Sequence, residues 1–322
     1  MQSRRNALLM LLATSLAAAL PAPATGQEYP ARPIRMLVGF SAGGGVDAIA
    51  RTLAARLSEQ LGHNVVVENR PGATSTIAAN VVVSSPPDGY TIFLADSSLL
   101  IAARAMQNLS LDPLKSFAPV AGIAIAPLAI AVAAESKLSS LEEMAKAAKS
   151  GELNYATSGI GTVHHLAMEQ LQALADIRMT HIPYRGASQL LPDLIGGQVP
   201  VAVLSAAAAL GPVQGGKIRV LGLTSPDKLE GAADWRAIAD WLPGFDASPR
   251  LFLLAPSGTP QDVVRRLEKE VGRTLNDPAV AQNLSKQGFI TTYRPAGELK
   301  ANMEEELGRW TTLIRKSGIV LQ

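Results

Sequence analysis

Ile34-Arg-Met-Leu-Val-Gly-Phe-Ser-Ala-Gly-Gly-Gly-Val-Asp47 is the stretch on which the reading of this chain turns. Ile34 to Phe40 is apolar enough for a buried strand. Gly43, Gly44 and Gly45 interrupt it. Beyond them Ile49, Leu53, Leu57 and Leu61 recur at spacing four and stop at Gly62, which predicts a helix with a glycine end. A strand that runs through glycines into a helix is the first half of a βαβ unit. The pattern continues with a strand over 64–68, a helix over 75–83, the turn Pro87-Asp88-Gly89, and a strand over 90–95. This rhythm implies an open, mostly parallel α/β sheet with helices on both faces.

The rhythm restarts after residue 127. Ser139-Ser-Leu-Glu142 reads as a capping box opening a helix that ends near Gly151. Strands are expected over 153–157, 179–184, 199–204 and 218–223. Helices are expected over 162–175 and up to Gly196-Gly197, the latter weakened by Pro192. A strand over 251–255 follows Pro249, and helices over 260–275, 278–287 and 296–317 close the chain. In the last, Leu299, Met303, Trp310 and Ile314 share a side and read as core. The C-terminal piece is too small for a domain alone, so the economical arrangement adds it to the first block. That gives residues 27–126 plus 251–322 as domain 1 and 127–250 as domain 2, with crossovers near Pro127 and Pro249. Ligands of such sheets sit beyond the carboxyl ends of the strands, here in the cleft between domains.

Composition narrows the function. The 322 residues are 48% hydrophobic and 17% charged, with no cysteine, which excludes disorder, a disulfide scaffold and thiolate chemistry. The formal charge of +2 comes from Arg4 and Arg5; beyond residue 26 the basic residues match the 27 acidic ones. The basic footprint of a nucleic-acid partner is therefore missing. Residues 1–26 read as an export signal: Arg4 and Arg5, then an apolar run from Ala7 to Leu20, then small-residue cleavage sites at Ala22-Pro-Ala24 and Ala24-Thr-Gly26. The Sec and twin-arginine routes both stay open. The apolar stretch 118–134 is broken by Pro119, Gly122 and Pro127 and reads as strands. The expectation is an exported, periplasmic protein.

Two loops suit an anion. Gly39-Phe-Ser-Ala-Gly-Gly-Gly-Val-Asp47 and Tyr155-Ala-Thr-Ser-Gly-Ile-Gly-Thr-Val-His-His165 each follow a strand and open a helix, whose first N–H groups and positive dipole end favour a carboxylate or phosphate. Each alone is also an ordinary tight connection. Gly43-x-Gly45-x-x-Ala48, with Glu68 on the next strand, fits a dinucleotide fingerprint. Gly39-Phe-Ser41-Ala-Gly43 fits the nucleophile elbow of an exported serine hydrolase, the alternative reading, although no histidine follows His181. His164 and His165 point to different helix faces, and no metal-ligand spacing is present; neither a metal nor a cofactor is expected. Arg185 follows a strand and suits a carboxylate partner.

Taken in order, these residues resemble the Bug-type solute receptors of tripartite tricarboxylate transporters. The resemblance is carried by Tyr29-Pro-x-Arg-Pro-Ile34, Gly43-Gly-Gly-Val-Asp47, Val65-Val-Val-Glu-Asn-Arg-Pro-Gly-Ala73 and Pro87-Asp-Gly-Tyr-Thr91. It continues through Leu153-Asn-Tyr-Ala-Thr-Ser-Gly-x-Gly-Thr162, His165-Leu166, His181-x-Pro-Tyr-Arg-Gly186, Asp193-Leu-Ile-Gly-Gly-Gln-Val199 and Leu254-Ala-Pro-Ser-Gly-Thr-Pro260. It implies a two-domain periplasmic binding protein of type II-like α/β fold, a monomer, that closes on a small carboxylated solute without catalysis. The expected partners are the membrane permease subunits of such a transporter, or a sensor kinase. By position it nominates Phe40, Ser41, Ala42, Gly43, Gly44, Gly45 and Asp47 on one wall. The other wall would carry Thr157, Ser158, Gly159, Gly161, Thr162 and His165, with Ser97 and Ser98 in a lining loop and Ser205 at the far end. The chain departs from the family pattern at Ser41-Ala42, at Gly72-Ala-Thr-Ser75, at Pro200 and in the run Ser205-Ala-Ala-Ala-Ala209. The expected consequence is a distal pocket short of polar groups, suited to a mono- or dicarboxylate with an aliphatic or aromatic body.

Overall fold

A computed structural model describes residues 29–106, 111–151, 153–184 and 186–317. The export signal expected over residues 1–26 lies outside them, and residues 29–31 carry no helix or strand. From residue 32 the chain runs β1 (Ile34–Val38), α1 (Gly45–Leu61), β2 (Val65–Asn69), α2 (Thr76–Val83), β3 (Thr91–Asp96), α3 (Ser97–Ala105), β4 (Phe117–Ile125) and β5 (Leu128–Ala133). There follow α4 (Leu141–Ala148), β6 (Asn154–Thr157), α5 (Val163–Ala175), β7 (Thr180–Pro183), α6 (Ala187–Ile195), β8 (Val201–Ser205), α7 (Ala206–Gln214) and β9 (Ile218–Leu223). The last elements are β10 (Arg250–Pro256), α8 (Gln261–Leu275), α9 (Pro278–Lys286), β11 (Ile290–Pro295) and α10 (Ala296–Ser317).

The strands form two sheets, ordered β11-β4-β10-β3-β1-β2 and β7-β6-β8-β5-β9. Neither is mostly parallel, which corrects the expectation drawn from the βαβ rhythm. In the first, β1 is parallel to β2 and β3, but β10 is antiparallel to both β3 and β4, and β11 is antiparallel to β4. In the second, β6 is parallel to β7 and β8, while β5 is antiparallel to β8 and β9. Two of the reversed strands, β5 and β10, enter their sheet from the other one; the third, β11, turns back along the edge of its own sheet. The chain leaves the first sheet after β4 through Ala126-Pro127 and returns between β9 and β10. There β10 is inserted between β3 and β4, with Leu251 to Ala255 all buried, as a central strand covered on both faces must be. The Ala126 N–H donates to the Pro249 carbonyl at 2.8 Å, so the two crossings lie side by side.

Several local expectations shift. The capping box sits one residue later: the Ser140 hydroxyl accepts from the Glu143 N–H, and Glu143 accepts from the Ser139 N–H and hydroxyl. Ser97 and Ser98 form the first turn of α3 rather than a loop, because Asp96 caps it through the Ser98 N–H (3.0 Å). The run after Ser205 is helix α7, capped by Ser205, since alanine favours helix over strand. Strand β11 escapes the sequence pattern altogether. Pro192 stays inside the short α6. The stripe Leu299, Met303, Trp310 and Ile314 of α10 is buried, and α10 packs on α3 from one sheet and α5 from the other.

Candidate functional site

Beyond β3 and β8 the chain turns directly into helices α3 and α7, and beyond β1 and β6 it reaches α1 and α5 through the two glycine loops. All four helix N-termini contribute to one cavity of about 440 Å³: Gly45 and Val46 of α1, Ser98 of α3, Val163 and His164 of α5, and Ala207 of α7. Three of these helices are capped by their own side chains. Asp96 accepts from the Ser98 N–H, Thr162 from the His165 N–H (3.3 Å), and Ser205 from the Ala208 N–H (3.2 Å). Helix α1 starts after Gly44 and has no side-chain cap. Its first-turn N–H groups are left to water or to a ligand.

Of the residues nominated on the first wall, Phe40 and Gly45 line the cavity. Ser41, Ala42, Gly43 and Gly44 are exposed and are not among the lining residues; the Gly44 N–H closes their turn on the Ser41 carbonyl. Asp47 faces inward and is almost fully buried. Its Oδ2 accepts from the Gly43 N–H and Arg51 Nε (both 2.9 Å), and its Oδ1 from Asn69 Nδ2 (2.9 Å). Asn69 in turn donates to the Phe40 carbonyl at 3.0 Å. Asp47 thus ties the glycine loop to β2 instead of facing the cavity. The Arg51 guanidinium, with the Gly43 N–H and Asn69, holds the Asp47 carboxyl down to about 2 against the opposing effect of burial.

On the second wall Ser158, Gly161, Thr162 and Ser205 line the cavity, as Ser98 does, while Ser97 is buried behind it and accepts from the Arg250 N–H at 2.8 Å. Thr157, Gly159 and His165 form a second layer. The Thr157 hydroxyl donates to the Gly159 carbonyl (3.1 Å) and lies 2.7 Å from His181 Nε2. His165 Nδ1 accepts from the Gly161 N–H (3.1 Å), which puts the imidazole proton on Nε2, facing Glu169 at 3.7 Å. His165 stacks on His181 with ring centres 3.9 Å apart. These residues hold the second loop in shape from behind. Arg185 lies outside the described residues.

Sequence reasoning did not nominate Asp96, Thr74, Ile160, Ala207, Gly288 or Phe289, all of which line the cavity. For Asp96 a signal existed: Asp-Ser-Ser after a strand is a helix-cap pattern. Gly288 and Phe289 gave none, since they reach the cavity only through the pairing of β11 with β4. Further lining comes from the paired crossings, Ala126, Pro127 and Pro249, and from Ile101, Leu128 and Leu251.

No lysine or arginine lines the cavity among the described residues, and the ionisable groups there are Asp96 and His164. Burial pushes Asp96 up to about 6, reinforced by the charge of Glu306 and opposed by hydrogen bonds from Ser98. Burial pushes His164 down to about 4, so it is neutral, with Nδ1 3.1 Å from the Ser158 hydroxyl. The positive potential therefore comes from helix ends, each equivalent to roughly half a charge. That arrangement suits a carboxylate held by backbone donors. Neither enzymatic alternative gains a site. Ser41 is exposed, outside the cavity lining, and hydrogen-bonds no histidine among the described residues. Glu68, the acid of the dinucleotide fingerprint, has one oxygen on Arg35 (2.8 Å) and the other on Arg70 (2.6 Å). No helix among the described residues is long and apolar enough to cross a membrane.

Comparison with known proteins gives a consistent answer. The model of the tripartite tricarboxylate transporter family receptor, TctC, matches residues 49–319. The chain is 31% identical over 310 residues to BugT of Bordetella pertussis, covering 95% of this chain and 95% of BugT. The solved structure of R. palustris Rpa4515 with adipate aligns at a TM-score of 0.79 with 28% identity, over 91% of this chain and 99% of the other. MatC from Rhodopseudomonas palustris with bound malate aligns at 0.74, also with 28% identity, over 89% of this chain and all of the other.

Proposed function

The chain belongs to the tripartite tricarboxylate transporter receptor family, and on that premise we propose that it captures a small carboxylate in the periplasm and delivers it to a tripartite tricarboxylate-type membrane permease. One observation carries the proposal for this chain: four helix N-termini meet on a single cavity that gathers residues from both sheets. Each N-terminus stabilises an anion by about 0.3–1 kcal/mol, and more where partly buried. The ligands of two similar structures, adipate and malate, are carboxylates and agree with this reading.

Capture works by closure. Residues 127–250 move against 32–126 and 251–317 about the paired crossings at Ala126 and Pro249. A ligand touching both walls raises the closed population by its difference in affinity for the two states. Residues 1–26 direct export, so the N-terminus of the periplasmic protein is Thr25 or Gln27.

A thermal-shift screen of protein stripped by unfolding and refolding tests the binding. A ligand at 100 times its dissociation constant stabilises by about 2.7 kcal/mol. At roughly 2–4 °C per kcal/mol, a mono-, di- or tricarboxylate should raise Tm by several degrees. No shift with any acid would defeat the receptor reading. Deleting either the receptor or the permease subunits should abolish uptake of the same acid. Intact uptake with lost gene induction would instead assign the receptor to a sensor kinase.

A further inference from the structure

The most unusual group in the cavity is a carboxylate. Asp96 ends β3, caps α3 and lines the cavity with 7% of its surface exposed. Both hydrogen bonds from Ser98 fall on its Oδ1. Glu306 of α10, buried behind it, pushes the Asp96 carboxyl further up; Glu306 accepts from Trp310 Nε1 at 3.0 Å and lies 4.0 Å from Arg309. The basic groups beside these acids are already engaged: Arg250 pairs with Asp246, and Arg309, besides its contact with Glu306, lies 3.6 Å from Asp246. No lysine or arginine among the described lining residues answers Asp96, and His164 across the cavity is neutral. Leu251 of β10 is its cross-strand partner, and the apolar part of the cavity lining includes Leu251, Ile101 of α3, Leu128 of β5 and Phe289 before β11.

We propose that Asp96 makes this receptor selective for monocarboxylates with an uncharged aliphatic or aromatic body, by repelling a second carboxylate on the ligand. The inference rests on the receptor reading above and narrows its substrate class. The helix N-termini supply enough positive potential for one carboxylate. A dianion must place its second charge in the same low-dielectric space as Asp96, where like charges repel strongly. A monoacid instead lays its body against the apolar wall, where burial stabilises it in proportion to area.

The test is calorimetry at about pH 8, where a carboxyl pushed up to about 6 is ionised. The protein is stripped by unfolding and refolding, and the ligands are matched pairs that differ by one carboxylate. The pairs are hexanoate and adipate, octanoate and suberate, and benzoate and terephthalate. In at least one pair the monoacid should bind at least about tenfold more tightly than its diacid. Asn caps helices as well as Asp does, so Asp96→Asn should fold, and it should narrow that ratio by about tenfold, chiefly by tightening the diacid. Equal or tighter binding of the diacids to the wild-type protein overturns the proposal with or without the variant. An unchanged ratio in D96N also overturns it. Tighter binding of 6-aminohexanoate than of hexanoate would overturn it by making Asp96 an ammonium anchor. Failure of the receptor reading looks different: no acid binds, or hexan-1-ol binds as well as hexanoate.

Discussion

The backbone of Ala207 occupies the place where a side chain on Gly288 would have to go. A Cβ built on Gly288 would lie 2.6 Å from the Ala207 nitrogen and 2.7 Å from its Cα. Gly288 leads into β11 of the first sheet, and Ala207 opens α7 behind the second, so the contact joins the segments that line the cavity from opposite sides. Phe289 continues the same seal: a Cβ on Gly45 would lie 2.9 Å from its ring.

Gly288→Ala should therefore be costly in one of two measurable ways. Its φ of +83° already disfavours a side chain, and the added methyl overlaps backbone that cannot rotate away. Overpacking of this kind costs about 1–3 kcal/mol. Urea denaturation should show that loss, or the two segments should part and ligand affinity should fall at least about tenfold. A variant with unchanged stability and affinity would show that the contact is not kept in solution.

Thr74 offers the opposite trade. Ala73, Thr74 and Ser75 hold φ of 44°, 54° and 69°, left-handed values that a β-branched residue rarely adopts. Ser75 also explains why Gly39 is glycine, since a Cβ there would meet the Ser75 Cβ at 2.4 Å. Thr74 lines the cavity, so its strain is retained where a side chain can touch ligand. Thr74→Gly should stabilise the protein by about 1 kcal/mol and weaken binding of whichever carboxylate the screen identifies. A loss of stability would refute the strain argument.

Asp47 sets an acid limit. Its carboxyl is held at about 2, chiefly by Arg51, against 3.8 for the free group. A depressed carboxyl gives stability that is full above the unfolded value and is lost as pH falls through the folded one. Arg51 is more than half exposed, so solvent screening limits the effect. Asp47→Asn should cost about 1–2 kcal/mol at neutral pH, with the difference closing between about pH 4 and 2. Denaturation curves of both proteins across that range would show it; a gap independent of pH would mean that charge is not what Asp47 contributes.

Histidines set a second window at higher pH. Burial lowers His164 and His181 to about 4, and the neighbouring His165 acts on His181 in the same direction. The unfolded chain binds protons near pH 6.5 while the fold does not, so stability falls as pH drops from about 6.5 towards about 4. Both side chains are only partly buried, so solvent screening cuts the full value of about 6 kcal/mol, and the loss should reach about 2–4 kcal/mol over that interval. His181→Asn should flatten the profile there, and an unchanged slope would remove His181 from the account.

Part of the cavity lining was legible in the sequence as position, and little of it as orientation. The glycine loops announce themselves as tight strand-to-helix connections, because repeated Gly between a strand and an amphipathic run lets the backbone turn sharply. Which of their residues face the cavity does not follow from the pattern. Phe40 and Gly45 line it while Ser41 to Gly44 between them do not, and Thr157 and His165 stand behind Ser158 and Thr162. Adjacent residues in a turn differ only in direction, and that direction is set by partners distant in sequence, such as Asn69 for Phe40 and His181 for Thr157.

The sequence alone determined the alternation of strands and helices, the glycine breaks, the apolar stripe of α10 and the neutral, cysteine-free character beyond residue 26. These depend on near neighbours: side-chain period, helix capping and composition. Tertiary structure decided the insertion of β10 between β3 and β4, the edge strand β11, the seal of Gly288 on Ala207, and the placing of Asp96 in the cavity wall. Each of these depends on segments tens to hundreds of residues apart competing for the same buried hydrogen bonds and the same space. Local preference does not encode the outcome of that competition.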